Sequence, residues 1–457
     1  MAITLVLSAY AWRDWYKALC FLVVLVAVAG YSGVPRGMFN ISGISPYNFL
    51  LVNVILAFLI AYRRENLKWD LPTSINYLLF AYVILILFSI YRYSPSTFEV
   101  TEAYFLGYRG SAAPETADFF VDYFVNGIKA VLPAILLYFG CNSRERLLWG
   151  ISALLVMHLV LALLVINLMP ISLLTDSDAL NRRAIHILDQ EIGFYSANLS
   201  MMFAGCFWVF IALRDYFAPR YSWLLAIGSA IILLAMLLTG GRGGFLAWTI
   251  VALVMAFARW RRYLLLAPIL LLLAVTFVPS FHDRVFGAPD IYSSSPVFAS
   301  DREADLSLRS SGRTTAWPLV IDKIGDAPFL GYGFDGIVSS GVTLQLINEY
   351  DYTFFHPHNS YLQLMIDGGI VSTFPILLLF LIIAKSSWSL FKDDRNKLYV
   401  LAGGTGVAMV FTFLAASLTG QSFYPTGRSV PMWCAIALMS KIAIQRKKID
   451  QNNQNSV

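Results

Sequence analysis

The chain has 457 residues, 58% of them hydrophobic and 13% charged, and a mean hydropathy of +0.66. That balance excludes a soluble globular domain and indicates a polytopic membrane protein. The formal charge of +5 gives no reason to expect nucleic acid, because the basic residues punctuate the apolar runs and act as orientation signals. Cys20, Cys141, Cys206 and Cys434 all lie in or beside apolar segments without CxxC spacing, which excludes a disulfide framework or a cysteine metal site.

A helix that crosses a bilayer needs about 20 mostly apolar residues, since its backbone groups must be satisfied within the segment. Taken in order, the sequence predicts about twelve spans on that criterion, centred on 16–34, 46–62, 74–91, 124–141, 147–169, 192–212, 221–239, 243–258, 263–279, 365–384, 398–417 and 429–445. Ala27-Val28-Ala29 has the form of a signal-peptidase site. However, the run containing it is long enough to span, and the polar stretch before it is not a short basic leader, so the expectation is an uncleaved first span.

Basic residues collect in alternate connections. Arg13 and Lys17 precede the first span; Arg63, Arg64 and Lys68 follow the second; Arg144 and Arg146 the fourth; Arg214 and Arg220 the sixth. Arg259, Arg261 and Arg262 follow the eighth, Lys385, Lys392, Arg395 and Lys397 the tenth, and Lys441, Arg446, Lys447 and Lys448 close the chain. The alternation predicts both termini in the cytoplasm and a large polar loop outside, between spans nine and ten. The expected organisation is a membrane domain at 1–279, the external loop with its motif at 280–360, a second membrane portion at 361–448 and a disordered polar tail at 449–457.

Arg36, Arg92, Arg109, Arg182, Arg183, Arg242, Arg284, Arg302, Arg309, Arg313 and Arg428 fall on the external side, against the charge trend. Two explanations stand open. They bind an anionic ligand, or, in the loop, they pair with Asp283, Asp301, Glu303 and Asp305.

Four stretches could carry chemistry. Arg182-Arg183 is a cationic pair before the sixth span, suited to phosphate or to lipid headgroups. Gly240-Gly241-Arg242-Gly243-Gly244 is too short for an ordinary loop; its glycines allow a reversal that exposes N–H groups, and its guanidinium either holds phosphate oxygens or snorkels. The stretch Gly312-Arg313-Thr314-Thr315-Ala316-Trp317, followed by Pro328-Phe329-Leu330-Gly331-Tyr332-Gly333-Phe334, reads as a short amphipathic helix and a Gly/aromatic turn, together a structured lid. Finally, His356-Pro357-His358-Asn359-Ser360-Tyr361-Leu362-Gln363 brings two histidines to the mouth of a new span, with Asn359 or Ser360 as its cap and Asp367-Gly368-Gly369 interrupting it. Those imidazoles could take a proton from a hydroxyl, orient it, or simply hydrogen-bond to the loop. A zinc site is disfavoured, with His282 the one other histidine in the loop and no HExxH.

These motifs resemble the O-antigen ligase and polymerase superfamily of bacterial envelope enzymes. Arg182/Arg183 with Gly193-Phe194-Tyr195-Ser196-Ala197-Asn198 is similar to the family's Arg…Gly…Asn entry to a span. Gly241-Arg242-Gly243-Gly244 is similar to its SRGG turn, with glycine in place of serine at Gly241. The stretches from Gly312 to Phe334 and from His356 to Gln363 resemble its GR…W…P-LGYG and HxHNxYLQ patterns. The resemblance covers about 180–370 and implies glycan transfer at the periplasmic face of the inner membrane, from an undecaprenyl-diphosphate-linked saccharide to a hydroxyl on lipid A-core or on another lipid-linked glycan. It implies His358, with His356, as the functional histidines, Arg182, Arg183 and Arg242 on the diphosphate, and Arg313, Trp317, Asn359 and Tyr361 as loop support. No external DxD stands ready for a divalent ion, so a cofactor-free, metal-independent reaction is expected. A flippase or transporter for the same lipids is the alternative of a different class. Against it, the chain has no two-fold repeat, and Lys129 is the main ionisable residue inside a span.

Overall fold

The computed structural model describes residues 1–39, 41, 43–92, 120–261, 264, 312–350, 354–420 and 422–455. The expected ninth span and most of the external loop, with Arg109, Arg284, Arg302, Arg309, His282, Asp283, Asp301, Glu303 and Asp305, lie outside them. Among the described residues the chain is all helical, apart from an isolated bridge between Met38 and Ile41.

In chain order the main helices are α1 (Ala2–Ala11), α2 (Trp15–Leu25), α3 (Pro46–Arg64), α4 (Thr73–Tyr91), α5 (Asn126–Gly140), α6 (Arg144–Leu168), α7 (Ser177–Arg183) and α8 (Ser196–Leu213). They continue with α9 (Ser222–Thr239), α10 (Arg242–Ala258), α11 (Arg313–Asp326), α12 (Val342–Tyr350), α13 (Ser360–Phe391), α14 (Lys397–Ala416) and α15 (Val430–Asn455). Starts are written in the sequence: Asp14 accepts from Lys17 N–H, Ser45 from Asn48 N–H with Pro46 following, Ser143 from Arg146 N–H and Asn396 from Leu398 N–H.

Among the described residues, eight helices are long and apolar enough to cross a membrane. Trp15–Val28 and α10 are apolar but shorter, and α15, which contains the expected last span, carries Lys441, Arg446 and Lys447 in its first five turns. The segment before the first expected span also differs from the reading as a polar stretch. It forms the apolar helix α1, with Ile3 and Val6 exposed, packed on α2 and α3. The segment's charged residues, Arg13 and Asp14, lie at its end, where Asp14 caps α2.

The core centres on α14, which packs against α8, α10, α13 and α15. Its glycines set those distances: a Cβ at Gly403 would lie 2.2 Å from the Phe391 backbone nitrogen, and one at Gly406 2.7 Å from Ser387 Oγ. Close backbone approach of this kind replaces the hydrophobic drive that helices lack in lipid.

One end of the bundle carries several separate groups of ion pairs. Lys17 pairs with Glu145, Arg146 with Glu65 at 2.8 Å, Asp70 with Lys441 and Lys448, Arg259 with Asp215 and Asp394, and Arg395 with Asp393 and Asp450. Burial works to raise the Asp70 carboxyl, but hydrogen bonds from Lys441, Lys448 and Tyr138 hold it well below the usual carboxylate range. The basic connections expected to share one side therefore meet at one end. The glycine turn, the lid and the histidine motif occupy the opposite end.

Candidate functional site

The histidine motif is a bend held from within. His358 has φ 47, a left-handed conformation costly for a residue with a side chain, and its N–H donates to His356 Nδ1 at 2.8 Å. With Nδ1 accepting, His356 carries its proton on Nε2, which donates to Gln363 Oε1 at 2.8 Å; Ser422 Oγ donates to the same oxygen at 3.4 Å. Both nitrogens of His356 are thus committed. Burial lowers its pKa; the Gln363 contact opposes that and the nearby Arg428 adds to it.

His358 is placed differently. Its ring lies against Phe354 and His356, and a Cβ at Gly420 would come 3.6 Å from its Nδ1. Among the described residues no hydrogen bond reaches its imidazole nitrogens. The residue is exposed by surface area, yet crowded by protein; that crowding first, then His356 and Arg313, push its pKa down to about 4. It is a neutral imidazole with an available lone pair.

The expected support residues surround this bend. Asn359 caps α13, its Oδ1 accepting from Tyr361 N–H at 3.0 Å and Leu362 N–H at 3.3 Å, while Ser360 N–H donates to Ser417 O. The Tyr361 hydroxyl donates to Leu414 O at 2.8 Å, tying α13 to α14. Trp317 and Arg313 share a face of α11: the indole N–H donates to Pro357 O at 2.8 Å, and Arg313 Nη2 reaches Thr419 O at 3.4 Å. Arg313 Nε is buried with no partner among the described residues. Burial, then repulsion from Arg242, lowers its pKa.

Arg242 starts α10 after the cap residue Gly241, and the left-handed φ of 72 at Gly240 ends α9. The glycines let this turn sit on α8: a Cβ at Gly244 would fall 1.7 Å from Ser200 Oγ, and one at Gly243 2.5 Å from Thr419 Oγ1. Arg242, Arg313 and His358 are therefore neighbours around Thr419 and Gly420. Arg182 and Arg183 make no hydrogen bond, ion pair or ring contact with this group; both are exposed, and Arg183 Nε and Nη2 hold Leu168 O at the end of α6.

Several site residues were not singled out from the sequence. Arg428 lies over the Tyr195 ring at 4.9 Å, and burial lowers its pKa, opposed by Tyr195 and Asp189. The signal was present, since it is one of the arginines set against the charge trend. Asp367, in the interruption of α13, is buried, accepting from Gly336 N–H and the Tyr424 hydroxyl, both at 2.8 Å. Gln363 accepts from His356, and Gly420 lies against the His358 ring.

An apolar cleft of about 330 Å³ runs between α4 and α5, from Trp69 and Tyr138 at the ionic end to Tyr123 and Pro425 near the site. Phe80, Val83 and Ile128 in its wall are exposed, so it opens sideways.

Residues 227–377 match the family model for O-antigen ligase. Over this third of the chain the protein is similar to O-antigen ligases. The matched stretch contains the glycine turn with Arg242, the lid helix with Arg313 and Trp317, and the motif ending at Gln363; Arg182, Arg183 and Arg428 lie beyond its limits. A likeness to O-antigen ligases within a bundle of apolar helices fits a multi-pass membrane protein. No curated protein matches the chain.

Proposed function

We propose that this protein is an inner-membrane glycosyltransferase that moves a saccharide from undecaprenyl diphosphate to a hydroxyl acceptor at the periplasmic face, with His358 as the group that receives the hydroxyl proton. The observation that carries this reading is the contrast between the two histidines that precede the Asn359 cap: among the described residues His356 has both nitrogens engaged, whereas no hydrogen bond reaches the His358 imidazole, which lies beside a buried Arg313 whose Nε has no partner.

The acceptor oxygen attacks the anomeric carbon, the bond from that carbon to the diphosphate oxygen breaks, and the hydroxyl proton passes to His358. The diphosphate departs with the bonding pair. Guanidinium groups aimed at that developing charge lower the barrier, a role for Arg242 and Arg313, with Arg182 and Arg183 as rim contacts. This fills the place a divalent ion takes in other transferases, so we keep the reaction metal-independent. The cleft between α4 and α5 suits the isoprenoid tail, which would enter from the bilayer and bring its diphosphate up towards Arg428.

Two acceptors satisfy the same geometry. Purified protein given lipid-linked glycan with lipid A-core should yield one capped product if it is a ligase; donor alone should yield a ladder if it is a polymerase. Donor bound without product in either case would replace this reading by the flippase one.

A further inference from the structure

The lid turn that follows α11 is bound to the broken part of α13 by its backbone. Ile370 N–H donates to Pro328 O at 2.9 Å and Val371 N–H to Phe329 O at 3.2 Å, while Tyr332 and Gly333 donate to Ile366 O and Asp367 O, both at 2.8 Å. Gly369, at φ 59, makes room for this pairing, since a Cβ there would lie 2.3 Å from the Phe329 carbonyl carbon. From the end of α4, the Arg92 guanidinium donates to Leu330 O and, at 2.9 Å, to Gly331 O. The carbonyls of four consecutive residues, 328–331, are therefore all taken by protein donors.

Carbonyls in water need no protein donors, whereas carbonyls in lipid do, because each unsatisfied group there costs several kcal/mol. The side chains agree with the backbone. Phe329 and Leu330 are 69% and 46% exposed, beside Ile370, Val371 and Phe374 at 44%, 44% and 62%. Leu378 and Leu381 continue that exposed stripe along α13, one of the helices apolar enough to cross a membrane.

We propose that the Phe329–Leu330 tip is immersed in the bilayer, its partner being the acyl chains around α13, so that the lid is anchored at a fixed depth. The proposal rests on this apolar continuity and not on the chemistry of transfer. It explains why Arg92 stands on the side where charge alone would not put it: it closes the carbonyls of a lipid-facing turn.

The test uses spin labels in the full-length protein in liposomes. The four native cysteines are buried, so labels go to Phe329→Cys and, separately, Leu330→Cys, with Phe374→Cys as the lipid reference and Asp326→Cys as the aqueous one. Oxygen concentrates in the bilayer and a nickel chelate stays in water. Both tip labels should give the oxygen-to-nickel collision ratio of Phe374→Cys, several-fold above that of Asp326→Cys. A ratio at either tip position matching Asp326→Cys would overturn the proposal.

Discussion

The backbone N–H of His358 donates to Nδ1 of His356 at 2.8 Å, so one histidine of the motif serves to aim the other. Their substitutions should separate. His358→Ala should reduce transfer by about 10²-fold or more, the usual contribution of a positioned general base, while donor still binds. His356→Asn retains an acceptor close to the Nδ1 position and should keep most of the activity that His356→Ala loses. Equal loss in both His356 variants, measured as kcat, would count against the aiming role.

Trp317 acts through the same bend. Its indole N–H on Pro357 O joins the lid to the motif. Trp317→Phe keeps the ring but removes the donor, and should cost about 1 kcal/mol of thermal stability, with a fall in kcat/KM. A change confined to stability would restrict Trp317 to a structural role.

Arg313 is assigned to the diphosphate, so Arg313→Gln should raise KM for the lipid donor and lower kcat, together by about 10²-fold, as for removal of one transition-state donor. Arg313→Lys keeps the charge but not the fork and should recover only part. Titration of the donor by each variant checks this directly.

With His358 as the proposed base, the acid limb of the kcat/KM profile should report it in the free protein. Crowding, His356 and Arg313 push its pKa from 6.5 down to about 4, so the neutral base persists and kcat/KM should stay level as pH falls through 6.5. The sign for stability follows: the unfolded chain takes the proton first, and this contribution, present above about 6.5, is lost towards 4. Bound diphosphate opposes the nearby guanidinium charge, so the limb in kcat should lie at higher pH than that in kcat/KM. An acid limb of kcat/KM at 6.5 would show that His358 is not held as described.

Gly369 tests the lid seat. A methyl group at its φ of 59 would meet the Phe329 backbone, so Gly369→Ala should destabilise by about 2 kcal/mol or more. Thermal unfolding in detergent is the measurement. Gly325, where a Cβ meets nothing within 4 Å, is the control.

Much of this architecture was legible because bilayer crossing imposes one strong rule, a long apolar run. The runs at 46–62, 74–91 and 398–417 coincide with α3, α4 and α14 within a few residues. The glycine turn before α10 was equally readable, and the cap of α13 was narrowed to Asn359 or Ser360, of which Asn359 serves, since each follows from local chemistry. What could not be read depends on distant pairing. Arg183 is drawn to Leu168 O by the end of α6, and Asp367 is buried only because Gly336 and Tyr424 arrive from either side. Nor does any local signal distinguish His356 from His358; the left-handed bend makes the difference.

The central claim is that His358 performs the transfer step and does not bind the donor. Wild type and His358→Ala, each shown to be folded, should be given lipid-linked glycan and acceptor in liposomes, with donor affinity and product formation measured on the same samples. The account predicts equal affinity and product reduced by about 10²-fold or more in the variant. Product at the wild-type rate, or affinity lost in parallel with product, would contradict it.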